Sequence, residues 1–105
     1  MAVATELENE VLCEELAPGS VLDVETHTRH YRVECLNGCQ IRISGHPEFC
    51  PTPVPAKIQG SINREGEFKP GVIGSGMRLM FQDPNKRVVT TSEVTNVRVE
   101  AGPEH

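Results

Sequence analysis

Aromatic side chains are scarce in this chain of 105 residues, which has no tryptophan, one tyrosine and three phenylalanines. Proteins that bind single-stranded nucleic acids usually combine a basic groove with exposed rings on which bases stack. The shortage of rings and the net charge of −5 therefore argue against nucleic-acid binding, despite several scattered arginines. The core must instead be built mainly from valine, isoleucine, leucine and methionine.

The amino-terminal stretch MAVATELENEVLCEEL lacks both a basic residue and an apolar run of the length that a signal peptide or a membrane span requires. We therefore expect a cytoplasmic protein that does not enter a membrane. Cysteines stay reduced in the cytoplasm, so the four cysteines are expected to be free thiols or metal ligands rather than a disulfide framework. Cys13 in particular is expected to be a packed thiol.

Acidic residues are concentrated at the start of the chain, where residues 1–25 hold seven acids and no lysine or arginine. We interpret residues 1–19 as an acidic segment that is partly flexible, or that forms a short helix or an edge strand. The alternative is an acidic arm that meets a basic partner or folds over a cationic patch. Residues 20–100 are predicted to form one β-barrel domain, and residues 101–105 a flexible tail.

Strands are predicted from residue 20 onward, because SVLDVET, HYRVECL and QIRIS alternate apolar and polar residues at period two. The first connection aligns Val24 with Tyr31. For the second, a three-residue loop of Leu36, Asn37 and Gly38 is predicted, which sets Cys35 directly opposite Cys39. A two-residue Asn-Gly turn is rejected because it would set an apolar residue against an arginine.

The same register predicts a polar outer face on this meander. It groups Arg32 and Arg42 with Asp23, and it places His30 with Glu25. Two arginines opposite one another repel and favour an anion between them, so Arg32, Arg42 and His30 form a candidate face for an anion or a partner. The competing interpretation, an ordinary solvated face with weak cross-strand pairs, is favoured.

Beyond residue 44 the pattern alternates between stiff loops and strands. GHPEFCPTPVP carries four prolines and predicts a polyproline-like crossing. The hairpin MRLMFQ, DPNK and KRVVTT follows, and TSEV is predicted to form one tight helical turn before the strand TNVRVE. This order of elements resembles the ending of Src-homology-like small barrels over roughly the last 30 residues, and it carries no functional motif.

The predicted fold class is therefore all-β, a small antiparallel barrel of about five to eight short strands. An Src-homology-like barrel is favoured. An oligonucleotide-binding-type barrel and a small sandwich are the alternatives.

Four sulfur and imidazole side chains lie within CLNGCQIRISGHPEFC: Cys35, Cys39, His46 and Cys50. Their spacing supplies ligand types that suit tetrahedral zinc but lacks a Cys-x2-Cys knuckle. On the predicted register the first two lie at the turn of a hairpin and the last two at its far end. Structural thiols are therefore favoured and no cofactor is expected, with zinc as the first alternative. A disulfide between the opposed Cys35 and Cys39 is the second alternative.

Enzymatic chemistry finds little support. Cys50 and His46 are spaced like a nucleophile and its base, but no oxyanion donor or orienting acid accompanies them. We predict a non-enzymatic binding or interaction module that contacts another protein or a second copy of itself through strand edges and the proline-rich loop. Zinc binding by residues 35–50 and weak nucleic-acid or anion binding by the arginine-bearing face are the alternatives.

Overall fold

A computed structural model of the chain describes residues 10–47 and 50–101. Residues 1–9 of the acidic segment, two residues of the proline-rich loop and most of the predicted tail lie outside the described residues. The nine strands are β1 Glu10–Leu12, β2 Val21–Thr26, β3 His30–Asn37, β4 Gln40–Ser44, β5 Val54–Ile62, β6 Phe68–Pro70, β7 Val72–Gly74, β8 Arg78–Gln82 and β9 Val88–Ala101. One 3₁₀ turn, Cys13–Glu15, follows β1.

Six of these strands close into a ring. The hydrogen-bonded order is β4-β3-β2-β9-β8-β5, and β4 also pairs with β5, so the sheet meets itself. All pairings are antiparallel. The predicted all-β antiparallel barrel is therefore confirmed. Strand β6 is attached to the outside of the ring on β5, while β1 and β7 form a separate two-stranded sheet.

Strand β9 is the longest, with 14 residues, and it joins two sides of the ring. It pairs with β8 through its first part and with β2 through its second part. The predicted helical turn at TSEV is wrong, because β9 runs through these residues without a break. Register shifts bend the strand there instead, and bulges of this kind turn corners in barrels.

The core lies inside the ring and follows the predicted alternation. Val24, Val33 and Ile43 are fully buried on three successive strands, and their polar neighbours point outward. The two fully buried rings, Tyr31 and Phe81, meet edge to face with centroids 6.3 Å apart. Aliphatic side chains supply the rest of the barrel core, as expected from the composition.

The first hairpin has the predicted register, with Val24 opposite Tyr31 and Leu22 opposite Val33. The second does not. Cys35 lies opposite Ile41, not Cys39, and Asn37 pairs with Gln40, so the loop contains only Gly38 and Cys39. Leu36 is an extra residue on β3, and this bulge restores the apolar alternation that a two-residue turn alone would break.

The DPNK turn between β8 and β9 is confirmed. The Lys86 amide donates to the Asp83 carbonyl at 2.9 Å, which closes the turn. The Asp83 side chain is only 1% exposed; its carboxylate accepts bonds from the backbone amides of Asn85 and Arg87 and from the Arg87 guanidinium at 2.9 Å. Burial raises the pKa of Asp83, but these bonds together outweigh it and hold the pKa below its usual value.

We predict that Asp83→Asn lowers the urea midpoint at neutral pH, because a neutral amide accepts the same bonds more weakly. A lowered pKa in the folded state gives stability that is present above the unfolded pKa, about 3.9, and is lost as the pH falls through the folded pKa. The difference in urea midpoint between the wild type and the variant therefore becomes smaller below about pH 4. The exposed Glu65→Gln serves as the control. A gap of equal size at pH 3 and pH 7 would contradict this account.

Strand β6 packs directly against Gly60 of β5. A Cβ atom at Gly60 would lie 2.3 Å from the Lys69 carbonyl oxygen and 2.9 Å from the Phe68 ring. Gly60 also has a φ of +151°, which side-chain-bearing residues rarely adopt. Phe68 is 48% exposed, and its inner edge covers this glycine.

We predict that Gly60→Ala costs about 3 kcal/mol or more, from backbone strain and from the displaced β6 backbone. Gly66→Ala is the matched control, because its φ of +88° is also positive but a Cβ there meets nothing within 4 Å. That control should cost about 1 kcal/mol. Urea denaturation measures both, and equal costs would show that β6 does not press on Gly60.

Candidate functional site

The four residues predicted as metal ligands occupy separate places. Cys35 is buried on β3, and its thiol lies 3.7 Å from the Leu16 carbonyl oxygen. Cys39 lies in the β3–β4 turn and forms a disulfide with Cys13. His46 and Cys50 form an isolated antiparallel bridge beyond β4, with the Cys50 amide 3.0 Å from the His46 carbonyl oxygen. Among residues 10–47 and 50–101, no three histidine, cysteine, aspartate or glutamate side chains are grouped so that they could hold a metal ion.

The disulfide corrects two expectations, that the four cysteines are free thiols or metal ligands and that Cys13 is a packed thiol. The Leu36 bulge and the two-residue loop bring the tip of the β3–β4 hairpin against β5, where the Ile58 amide donates to the Cys39 carbonyl at 2.9 Å. The Cys13 amide donates to the Gly71 carbonyl at 2.9 Å and holds the other sulfur beside this tip. A contact between residues 26 positions apart leaves no periodic signal in the sequence.

The two free cysteines are ordinary core thiols in their surroundings. Cys50 is fully buried and Cys35 is 1% exposed. Burial raises the pKa of both thiols, which keeps them protonated at neutral pH. An activated nucleophile requires the opposite shift, so the environment of Cys50 is that of a structural thiol.

The polar outer face is more evenly charged than predicted. Arg32 lies opposite Asp23 on one side and Ser44 on the other, so the expected opposition of Arg32 and Arg42 is wrong. Arg42 lies opposite Glu34 and donates to its carboxylate at 3.2 Å.

His30 is opposite Glu25, as predicted, and its ring bonds to Asp23. Acids therefore alternate with bases across this face. The pair of facing arginines that would have favoured an anion is absent from the described strands, because the β3–β4 register is shifted by two residues.

Two clefts flank residues 10–16, which comprise β1 and the 3₁₀ turn that follows it. Neither cleft was predicted from the sequence. The first cleft has a volume of about 390 Å³ and is lined by Leu12, Glu14, Glu15, Cys39, Lys57, Ile58, Gln59, Pro70 and Gly71. The second cleft has a volume of about 370 Å³ and is lined by Glu10, Val11, Leu12, Glu15, Leu16, Val72 and Val99. Leu12 and Glu15 belong to both, so residues 10–16 form a ridge between the clefts.

The first cleft exists because β5 changes partners. Its first residues pair with β4 up to Lys57, and its last residues pair with β6 from Gly60 onward. Between these pairings the Ile58 amide donates to the Cys39 carbonyl and the Gln59 carbonyl accepts from the Gly71 amide, and Leu12, Glu14 and Glu15 of the ridge line the cleft beside this stretch. The sequence signal for it is weak: Val11, Leu12 and Leu16 are interspersed with acids, and a cysteine follows Leu12.

Comparison with known proteins adds no function: no protein-family model, no curated protein and no solved structure matches this chain. Within the described residues no helix has the length and apolar character needed to cross a membrane. The function of the candidate site must therefore be inferred from its geometry.

We predict that replacing both Cys13 and Cys39 by serine destabilises the protein by roughly 3.5 kcal/mol, the loop-closure value for 26 residues. The physical reason is that the unfolded chain gains the freedom that the cross-link removes. Urea denaturation measures the loss. The wild type in excess dithiothreitol should have the same midpoint as this double variant, and a double variant as stable as the oxidised wild type would contradict the prediction.

Proposed function

We propose that this protein is a non-enzymatic interaction module that binds an apolar, basic segment of a partner protein in the two clefts beside residues 10–16. The single observation that carries the proposal is the placement of Leu12. This side chain is 43% exposed and lies between two clefts, of which the first is mainly apolar.

The walls of the clefts supply apolar contact. Ile58 and Pro70 line the first cleft, and Val72 and Val99 line the second. Binding sites for protein segments commonly combine such apolar walls with a few charged groups at the rim. A partner side chain on each side of Leu12 would remove that residue from water, which is favourable at about 25 cal/mol per Å² of apolar surface.

The charges at the rim favour a basic partner. Glu14 and Glu15 border the first cleft with Lys57 as its one base, and Glu10 and Glu15 border the second. The excess of acids continues through the first 25 residues of the sequence, which contain no lysine or arginine. Complementary charge accelerates association and discriminates against acidic partners.

Strand edges are less suitable contact surfaces than we expected from the sequence. The six-stranded ring uses the edges of its own strands, since β4 pairs with β5. Strand β6 does present an outer edge, but it has three residues and ends in Pro70, which has no amide hydrogen to donate. Short strands with proline are typical of edges that resist pairing. The clefts therefore take the place of the edges in the proposal.

The test is a titration of the isotope-labelled protein with two short synthetic peptides, one alternating leucine with lysine and the other leucine with glutamate. We expect the lysine peptide alone to shift the amide resonances of Leu12, Ile58 and Val72 in a saturable way. Added salt should weaken the binding, because the glutamate rim is screened.

Three variants make the result specific. Leu12→Ser should weaken binding by about tenfold, the effect of removing one apolar anchor. Glu15→Gln should weaken binding of the lysine peptide only at low salt, where the charge of the rim is not screened. Val88→Ser is the matched control, because Val88 is an equally exposed apolar residue, at 49%, that lines neither cleft. Equal binding of both peptides, or shifts confined to the arginine-bearing face, would refute the proposal.

A further inference from the structure

We propose that Cys39 is a thiol-exchange site: a dithiol reductant attacks its sulfur through the first cleft, opens the Cys13–Cys39 disulfide and releases residues 10–16 from the barrel. The inference goes beyond the proposed function and does not depend on it, since it concerns the bond and the segment alone.

The two sulfurs of the disulfide differ in access. Cys39 is only partly buried and lines the first cleft. Cys13 is fully buried and lines neither cleft. An attacking thiolate must reach the sulfur it bonds to, so exchange is directed to Cys39.

The wall of the cleft beside the disulfide is a glycine. A Cβ atom at Gly71 would lie 3.8 Å from the Cys13 sulfur and 3.9 Å from the Cys39 sulfur. Gly71 also lines the first cleft. Because glycine has no side chain, Gly71 does not cover the side of the disulfide that faces it.

The segment that the bond holds is outside the ring. Within the described residues, strand β1 pairs with β7 alone, through three residue pairs. The Cys13 amide adds one bond to Gly71, and Val11 and Leu16 pack against the core. The six strands of the ring are joined to one another without it. Opening the disulfide therefore loosens residues 10–16 while the ring keeps its own pairings.

The chemistry is a two-electron exchange. The first thiolate of the reductant bonds to the Cys39 sulfur, the bond between the two cysteine sulfurs breaks, and Cys13 leaves as a thiolate that takes up a proton. The second thiol of the reductant then attacks the mixed disulfide and releases the Cys39 thiol, and the reductant becomes a disulfide. In a reducing cytoplasm, the location that the sequence predicts, most disulfides are transient bonds of this kind.

The other two thiols do not compete for the reagent. Cys35 and Cys50 are buried, and burial raises the pKa of each thiol. They serve as internal controls, because they should stay unmodified for as long as the ring remains folded.

The first experiment traps the intermediate. Oxidised wild-type protein is treated briefly with the monothiol glutathione and quenched with an alkylating agent, and the modified cysteines are mapped by mass spectrometry. We expect glutathione on Cys39 and the alkyl group on Cys13, in about tenfold excess over the reverse arrangement, since attack follows access. Glutathione on Cys13, an equal distribution, or no adduct before denaturant is added would overturn the proposal.

The second experiment follows the segment. After dithiothreitol is added, hydrogen exchange of residues 10–16 should approach the rate of an unprotected chain. The amides of β2 to β5 should lose some protection, because the whole fold loses stability, but they should remain much slower than residues 10–16. The variant with serine at both positions 13 and 39 should show the same pattern without reductant. Unchanged exchange in residues 10–16, or ring amides that exchange as fast as residues 10–16, would contradict a local release. Neither experiment involves a partner peptide, so its outcome is separate from that of the peptide titration.

Discussion

Closure of the β-ring is the constraint on which the rest of this structure depends. Every strand of the ring pairs with two neighbours, but two strands do so in succession along their length: β9 passes from β8 to β2, and β5 passes from β4 to β8. A strand that changes partners must bend, and the register shifts in both strands provide the bend. Closure removes the unpaired edges of the six strands and encloses a core that needs few rings.

The candidate site follows from the same constraint. Strand β5 leaves β4 before it gains β6, and between these pairings Ile58 and Gln59 bond to Cys39 and Gly71. Residues 10–16 lie beside this stretch and add no strand to the ring. They are held by β1, by the disulfide and by packing of Val11 and Leu16 against the core. The part of the fold that lies outside the ring is therefore the part that has a cleft on each side.

Local patterns predicted much of the fold. The period-two alternation identified β2, β3, β4, β8 and the last part of β9. The DPNK turn was recognised because aspartate, proline and asparagine each favour that turn for a separate physical reason. The register of β2 with β3 was also correct. These features depend on residues close together in the chain, where periodicity and turn chemistry carry the information.

Two errors arose where a single extra residue changes the outcome. Because of the bulge at Leu36, Cys35 lies opposite Ile41 instead of Cys39, and Arg32 lies opposite Ser44 instead of Arg42. One misplaced residue therefore made both the predicted thiol pair and the predicted arginine pair wrong. A bulge at a leucine has no local signature, since it is selected by how the whole strand packs. The prediction of a helical turn at TSEV was wrong for a similar reason, because closure of the ring keeps these residues in β9.

The four cysteines show how tertiary position overrides sequence spacing. Their spacing placed three of them in one short stretch, yet the structure pairs Cys39 with Cys13, the cysteine outside that stretch. Cys35 and Cys50 have instead become parts of the interior, where burial raises the pKa of their thiols. Identical side chains have thus acquired two chemistries, a disulfide and two buried thiols. Cys13, Cys35 and Cys50 are all buried, whereas Cys39 is partly exposed at the wall of a cleft. Access to the disulfide is therefore set by the place where residues 10–16 meet β5, next to the turn that carries Cys39.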